Sequence, residues 1–312
     1  MEAPVANRMP AAIARRAWPI VRWPLVALLV GAMWHAAEGQ WRTVSVHDLH
    51  LDWRWGALSL LGLVGTLAWT CALWRRWLVG LGAPLPYARA FSILFQANVA
   101  KYLPGAGWHF VGRVGLSHQA GISPAKATLS IVMETACHLA AGALLSLLAL
   151  PLLPGVRPEV WPFAAAAIAV PLAMHPRVLD RAFGLLGWLT RRTIPPVPFS
   201  YRFVLGMLAG YLAYWIALGA CFAMFAQSLS SAPVTLAQSA LLTGALAIAW
   251  VAGAVTLVAP AGLGVREAAL VVLVGAAFPA GWAIVFALAS RLWFLASEAI
   301  AFAIACVAWR RA

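Results

Sequence analysis

NVAKYLPGAGWHFVGRVG, residues Asn98–Gly115, decides how this chain is read. Lys101, His109 and Arg113 surround a Leu-Pro-Gly-x-Gly break, with apolar stretches on both sides. Pro104 removes a backbone donor and clashes with the preceding helical turn. Gly105 and Gly107 tolerate the dihedrals of a chain reversal. What such a break means depends on its solvent. Of 312 residues, 63% are hydrophobic and only 10% are charged, against about a quarter charged in ordinary soluble domains. Apolar runs of transmembrane length recur along the whole chain. No stretch shows the alternation of an outer-membrane barrel strand. The polar stretches are too short for a separate soluble domain. The expected fold is therefore an all-α integral membrane protein. At membrane depth, broken backbone must be buried in protein or line a wet cavity.

Six full spans are expected, at about 20–37, 55–74, 125–150, 159–174, 201–225 and 281–308. Residues 88–118 read as a re-entrant hairpin. Residues 234–278 read as either a second re-entrant hairpin or two more spans, giving six to eight transmembrane helices in all. Residues 175–200 are basic and proline-punctuated, which suits an interfacial helix. Three regions are expected: a basic N-terminus over 1–19, a single transmembrane domain over 20–308, and a short C-terminus over 309–312. Lys and Arg concentrate at the N-terminus, in 75–126, in 175–202 and at the C-terminus, which puts both termini in the cytoplasm.

A second break lies in the second half of the chain. "LVAPAGLGVRE" repeats the first pattern: an apolar helix, then Pro260, Gly262 and Gly264, then a restarted helix with Arg266 and Glu267. Paired Gly/Pro interruptions in corresponding halves point to a transporter site near the midplane and to an inverted repeat. A restarted helix aims free N–H groups and a partial positive charge into the cavity, which suits an anion. Arg266 sits in a first turn, where a cation opposes the dipole. Either Glu267 or a bound anion must offset that cost.

Other ionisable residues lie inside apolar runs, where they are functional candidates by default. Glu134 falls mid-span, with Ser130 and His138 one turn either side on the same face. A structural ion pair from Glu134 to Lys101, Arg113 or Arg291 is the competing reading. His138 alone reads as a packing residue rather than a ligand. Arg291 and Glu298 are seven apart on the last span and share a face; Asn98 and Lys101, and His109 and Arg113, do so as well. The candidate anion-binding set is Asn98, Lys101, His109, Arg113, Arg266 and Arg291. Glu134, Glu267 and Glu298 are expected to balance charge or to take up a proton.

Several classes are set aside. The formal net charge of +13 is assigned to topology and anionic headgroups rather than to nucleic acid, because no basic patch carries interleaved aromatics. Cys71, Cys137, Cys221 and Cys306 sit in apolar runs without metal spacing and read as packing residues. His47 and His50, beside Asp48 and Asp52, read as a solvated loop. No metal site and no cofactor is expected. Trp18, Trp23, Trp41, Trp53, Trp55, Trp74, Trp77 and Trp309 are expected at the membrane interface. There is no P-loop, HExxH or Gly-x-Ser-x-Gly, so no catalytic residue is named and no enzyme is expected.

"NVAKYLPGAGWHFVGRVGL", "PAGLGVREAAL" and "SRLWFLASEAI" resemble the family named for the transmembrane region of lysylphosphatidylglycerol synthase, also called the flippase-like domain. The resemblance covers about residues 20–308. It implies a helical bundle in the bacterial inner membrane that moves or binds lipid. Asn98, Lys101, Tyr102, Pro104, Gly105, Gly112, Arg113, Pro260, Gly262, Gly264, Arg266 and Glu267, then Arg291, match its motifs. In multiple peptide resistance factor proteins this region is fused to an aminoacyl transferase. The chain ends at Ala312 without that domain, so synthase activity is not expected. The polar residue that often follows the first break is replaced by Ala106, Gly107 and Trp108, which leaves headgroup selectivity open. The resulting expectation is a lipid flippase or scramblase whose partner is a membrane phospholipid or other lipid-linked substrate. The alternatives are a membrane-embedded enzyme acting on such a substrate, or a scaffold for a lipid-modifying enzyme. A homo-oligomer is also admitted.

Overall fold

The computed structural model describes residues 51–102, 107–149, 160–190, 197–255 and 265–311. The helices are α1 (Trp53–Gly80), α2 (Tyr87–Asn98) with a 3-10 turn (Val99–Tyr102), α3 (Trp108–Gln119), α4 (Pro124–Ala149) and α5 (Val160–Ala173). They continue with α6 (Pro176–Thr190), α7 (Tyr201–Ser228), α8 (Leu236–Val255), α9 (Val265–Gly275) and α10 (Ala280–Arg311). No strand occurs among the described residues. The protein is an all-α, multi-pass membrane protein.

Local chemistry sets several helix starts. Asp52 Oδ1 accepts from the Arg54 amide at 2.9 Å and opens α1. Ser200 Oγ accepts from the Phe203 amide at 3.3 Å and opens α7. Thr235 and Gln238 form a reciprocal capping box for α8, with bonds of 2.9 and 3.2 Å. Pro124 occupies the first position of α4, where its missing N–H costs nothing.

Five helices, α1, α4, α7, α8 and α10, are long and apolar enough to cross a membrane. The expected first span at 20–37 lies outside the described residues, as do Trp18, Trp23 and Trp41. At the expected span 159–174 the structure describes α5 over 14 residues, Val160–Ala173, about 21 Å at 1.5 Å per residue; residues 150–159 before it lie outside the described residues. Within residues 234–278, α8, at 20 residues, is long enough to span, and α9 has 11 residues, about half that reach; residues 256–264 between them lie outside the described residues. α2 and α3, with 12 residues each, are also half-length.

The core forms where α7 lies against α1, α4 and α8. Trp77, Tyr211, Trp215, Phe222 and Phe286 are fully buried there. Trp74 and Trp77 were expected at the interface, but both are buried in the helix packing. Trp53 (71% exposed) is free to anchor. Cys71, Cys137 and Cys221 are buried free thiols. α10 packs along α2 and against α1 and α9, and its Phe286 and Trp293 rings meet Phe222 and Phe225 of α7 at 4.7 and 5.1 Å.

Small residues let the helices approach closely, the usual packing device where water supplies no driving force between helices. A Cβ at Gly219 would collide with Thr243 of α8, and one at Gly244 would collide with Ala149 of α4. Gly206, on the same helix as Gly219, has open space around it. Gly219→Ala is therefore expected to lower the midpoint of thermal unfolding in detergent by overpacking, at a cost of about 1–3 kcal/mol. Gly206→Ala should leave the midpoint unchanged or raise it. Equal midpoints for the two variants would show that the α7–α8 approach is not tight.

Candidate functional site

The charged residues singled out from the sequence meet in two places. The larger cluster joins residues that precede the first break in sequence to residues that follow the second. Lys101, in the 3-10 turn three residues before Pro104, bonds Glu298 of α10 at 2.5 Å. Glu267, in the first turn of α9, bonds Arg291 of α10 at 3.3 Å. Arg291 and Glu298 are two turns apart on one face of α10, about 10 Å along its axis. One continuous helix therefore holds the chain before the first break and the chain after the second. Pro104, Gly105, Pro260, Gly262 and Gly264 themselves lie outside the described residues.

Arg266 is the different member. Its guanidinium lies over the Phe294 ring, 4.2 Å from the centroid. Its Nη2 is buried without a hydrogen-bond partner among the described residues. Glu267, Arg291, Tyr214 and Glu298 are its electrostatic neighbours. Glu267 suits the positive end of α9; it pairs with Arg291 at 3.3 Å and is also an electrostatic neighbour of Arg266 that favours its charge.

The second cluster is a closed ring. Arg113 of α3 pairs with Glu134 of α4, choosing among the three partners that the sequence left open. Its guanidinium lies 3.9 Å from the Trp74 ring centroid. Trp74 Nε1 donates to Ser130 Oγ at 3.0 Å, one turn before Glu134. Three helices are thus tied through four side chains, with Arg113 and Glu134 only 7% and 13% exposed.

Asn98 is half-buried at the end of α2. His109 stacks on Phe110 at 3.9 Å, and its Nδ1 is buried without a partner. Gly107, at φ 90°, starts α3 in the left-handed region that favours glycine. His138 packs among the rings of Tyr211, Tyr214, Trp215 and Trp250 at 4.3–5.7 Å, with its Nε2 unpartnered. It packs through its ring and not through a side-chain hydrogen bond. Beside α3 and α4 opens an apolar groove of about 680 Å³, walled by Phe110, Val111, Val114, Ile131, Thr135 and Leu139 among others.

Sequence reasoning missed Phe294 and Trp74 as guanidinium platforms and Tyr214 as a neighbour of Arg266. Phe294 was recoverable: residues 291, 294 and 298 follow the 3–4 spacing of one helical face. Trp74 and Tyr214 carried no such signal, because they sit on other helices.

The description of the lysylphosphatidylglycerol synthase TM region matches residues 20–297, most of the chain. The protein belongs to this family. No curated protein and no solved structure shows a significant match. Within this family member, the motif residues Lys101, Arg266, Glu267 and Arg291 converge on one cluster, whereas Arg113 belongs to the separate ring with Glu134.

Because the Arg113–Glu134 pair is buried, removing one partner strands a charge. Glu134→Gln or Arg113→Met alone is expected to lower unfolding free energy by about 3 kcal/mol. The double variant should recover much of that loss. A double-mutant cycle in detergent by thermal denaturation measures it, and a coupling energy near zero would remove the pair's structural role.

Proposed function

We propose that the protein is a lipid transporter, a flippase or scramblase, and not an enzyme. It would bind an anionic headgroup or lipid phosphate between the two helix breaks. The carrying observation is Arg266: a cation in a first helical turn, with a buried unpartnered Nη2, inside a cluster whose other charges are paired. A buried donor without a partner costs about 1–3 kcal/mol, and more when charged. A bound anion removes that cost, and the free N–H groups of α9 add to its binding.

Two further features support the reading. Half-length helices lie on both sides of the first break in sequence and follow the second, as expected where irregular backbone lines a cavity. The apolar groove by α3 and α4 gives an acyl chain a carbon-lined course while its headgroup is held elsewhere. In this reading α2–α3 forms a re-entrant hairpin, both termini are cytoplasmic, and the membrane is the cytoplasmic one. Glu267 and Glu298 keep the cations apart while the site is empty.

The test is translocation of a fluorescent anionic phospholipid in proteoliposomes of the full chain. Wild type should move the lipid, and Arg266→Ala should slow it at least about tenfold, or ~1.4 kcal/mol, with an unchanged thermal midpoint. Transport by the variant at the normal rate would remove Arg266 from the site. Absence of any movement by folded wild type would overturn the transporter reading.

A further inference from the structure

Far from the charged cluster in sequence, α6 carries two exposed stripes. Its Leu179 and Phe183 turn inward and join the hydrophobic core. About a third of a turn away, Val178, Ala182, Leu185 and Leu189 follow helical spacing as an exposed apolar stripe, with Leu185 and Leu189 58% and 64% exposed. Roughly a quarter-turn further round lie Arg177 and Arg181, both exposed, in line with the exposed Trp188. Neither arginine forms an ion pair among the described residues. The acid between them in sequence, Asp180, is engaged elsewhere: its Oδ1 accepts from the Val197 amide at 2.6 Å.

The contacts of α6 fix its depth. The Asp180–Val197 bond ties it to the residues that lead into α7. Phe199, two residues on, meets Trp77 at 4.9 Å, close to the Gly80 end of α1. The His175 ring, just before α6, lies 4.6 Å from that of Tyr201, the first residue of α7. Tyr201 Oη in turn donates to the Pro171 carbonyl of α5 at 3.0 Å. α1 and α7 have 28 residues each, about 42 Å, which exceeds a ~30 Å hydrocarbon core. The end of one and the start of the other therefore reach the headgroup region, and α6 is held at that level.

We propose that α6 is a docking helix for the anionic membrane surface. It lies in the plane of the interface, sinks its apolar stripe into the acyl boundary and sets Arg177 and Arg181 against anionic headgroups, with Trp188 at the same level. The order of its faces suits this placement: the bundle is on one side, the arginines are on the other, and the apolar stripe is between them. A second copy of the chain fits the stripe poorly, because a two-fold contact there would bring the arginines of both copies together. This role does not depend on the transport reading.

The test is amide hydrogen exchange of the full chain, followed by mass spectrometry of the peptide that covers α6. The protein is placed in nanodiscs of phosphatidylcholine alone, or of phosphatidylcholine mixed with phosphatidylglycerol or with phosphatidylserine. Exchange in α6 is expected to slow about tenfold in either mixed disc, with no such change in α8. Salt at about 1 M should shrink the effect. Arg177→Gln combined with Arg181→Gln should abolish it, and both side chains are exposed, so the fold is kept. Leu185→Asp should speed exchange in all three discs. Equal wild-type exchange in the three discs would overturn the proposal, and so would a lipid response that survives in the double arginine variant. Protection by only one of the two anionic lipids would replace the surface with a headgroup-specific pocket. Protection confined to discs that hold two copies would replace it with a dimer contact. If Leu185→Asp does not fold, the wild-type and arginine measurements still decide.

Discussion

The structure depends on the cost of charge in hydrocarbon and on how α10 meets it. Seven charged residues of the two clusters lie in or beside apolar helices, and none can be left unbalanced cheaply. Six of them form three ion pairs. Two of those pairs share α10, which places Glu298 against Lys101 and Arg291 against Glu267. A long apolar span therefore also carries charges that link two parts of the chain distant in sequence. The breaks are about 160 residues apart in sequence, so no local preference can bring them near each other. A loop of that length is entropically costly to close, and the tether comes from the pairing of opposite charges where water cannot compete for them.

The Arg113–Glu134 ring does a different job. It ties α3 to α4 and, through Trp74, to α1, and it leaves no formal charge over. The half-length α3 has little surface of its own to bury, with only Arg113 and Ser117 fully enclosed among its residues. A buried polar anchor therefore holds it more firmly than its apolar contacts alone. The two clusters differ accordingly: the ring fixes a short helix, and the larger cluster ties α10 to the 3-10 turn and to α9.

Fold class was legible because transmembrane helices announce themselves by length and apolarity alone. Residues 124–149 and 201–228 emerged within a few positions of their expected limits. The segment expected at 159–174 is helical over Val160–Ala173, again close to its expected limits, and it is apolar although it contains Pro171. Trp74 and Trp77 were misread. Interfacial preference is a statement about residue type, whereas their burial depends on which neighbours arrive from α4 and α7. At the candidate site, every charged member was visible as an ionisable residue in an oily context. The pairing was not, since Glu134 had three eligible partners and only the packing of α3 on α4 selects Arg113. The platforms under the guanidinium groups split along the same line. Phe294 shares a helical face with Arg291, and Trp74 comes from a different helix.

Arg266 opposes the dipole of α9, and its Nη2 is buried without an acceptor among the described residues. Arg113 Nε is likewise buried without a partner, but that guanidinium is paired with Glu134, whereas no ion pair is formed by Arg266 among the described residues. A guanidinium stacked on an aromatic ring keeps part of its stabilisation without any anion, which allows an empty site to persist without collapse of the helix. The same ring leaves an edge of the guanidinium free to bind. A site that must release its ligand cannot satisfy its cation fully from within, because a permanent carboxylate partner would compete with every anion that arrives. An aromatic platform offers intermediate support: enough to tolerate the charge, too little to replace a ligand. Under the proposed anion-binding role, the local disagreement at Arg266 is what a releasable ligand would require.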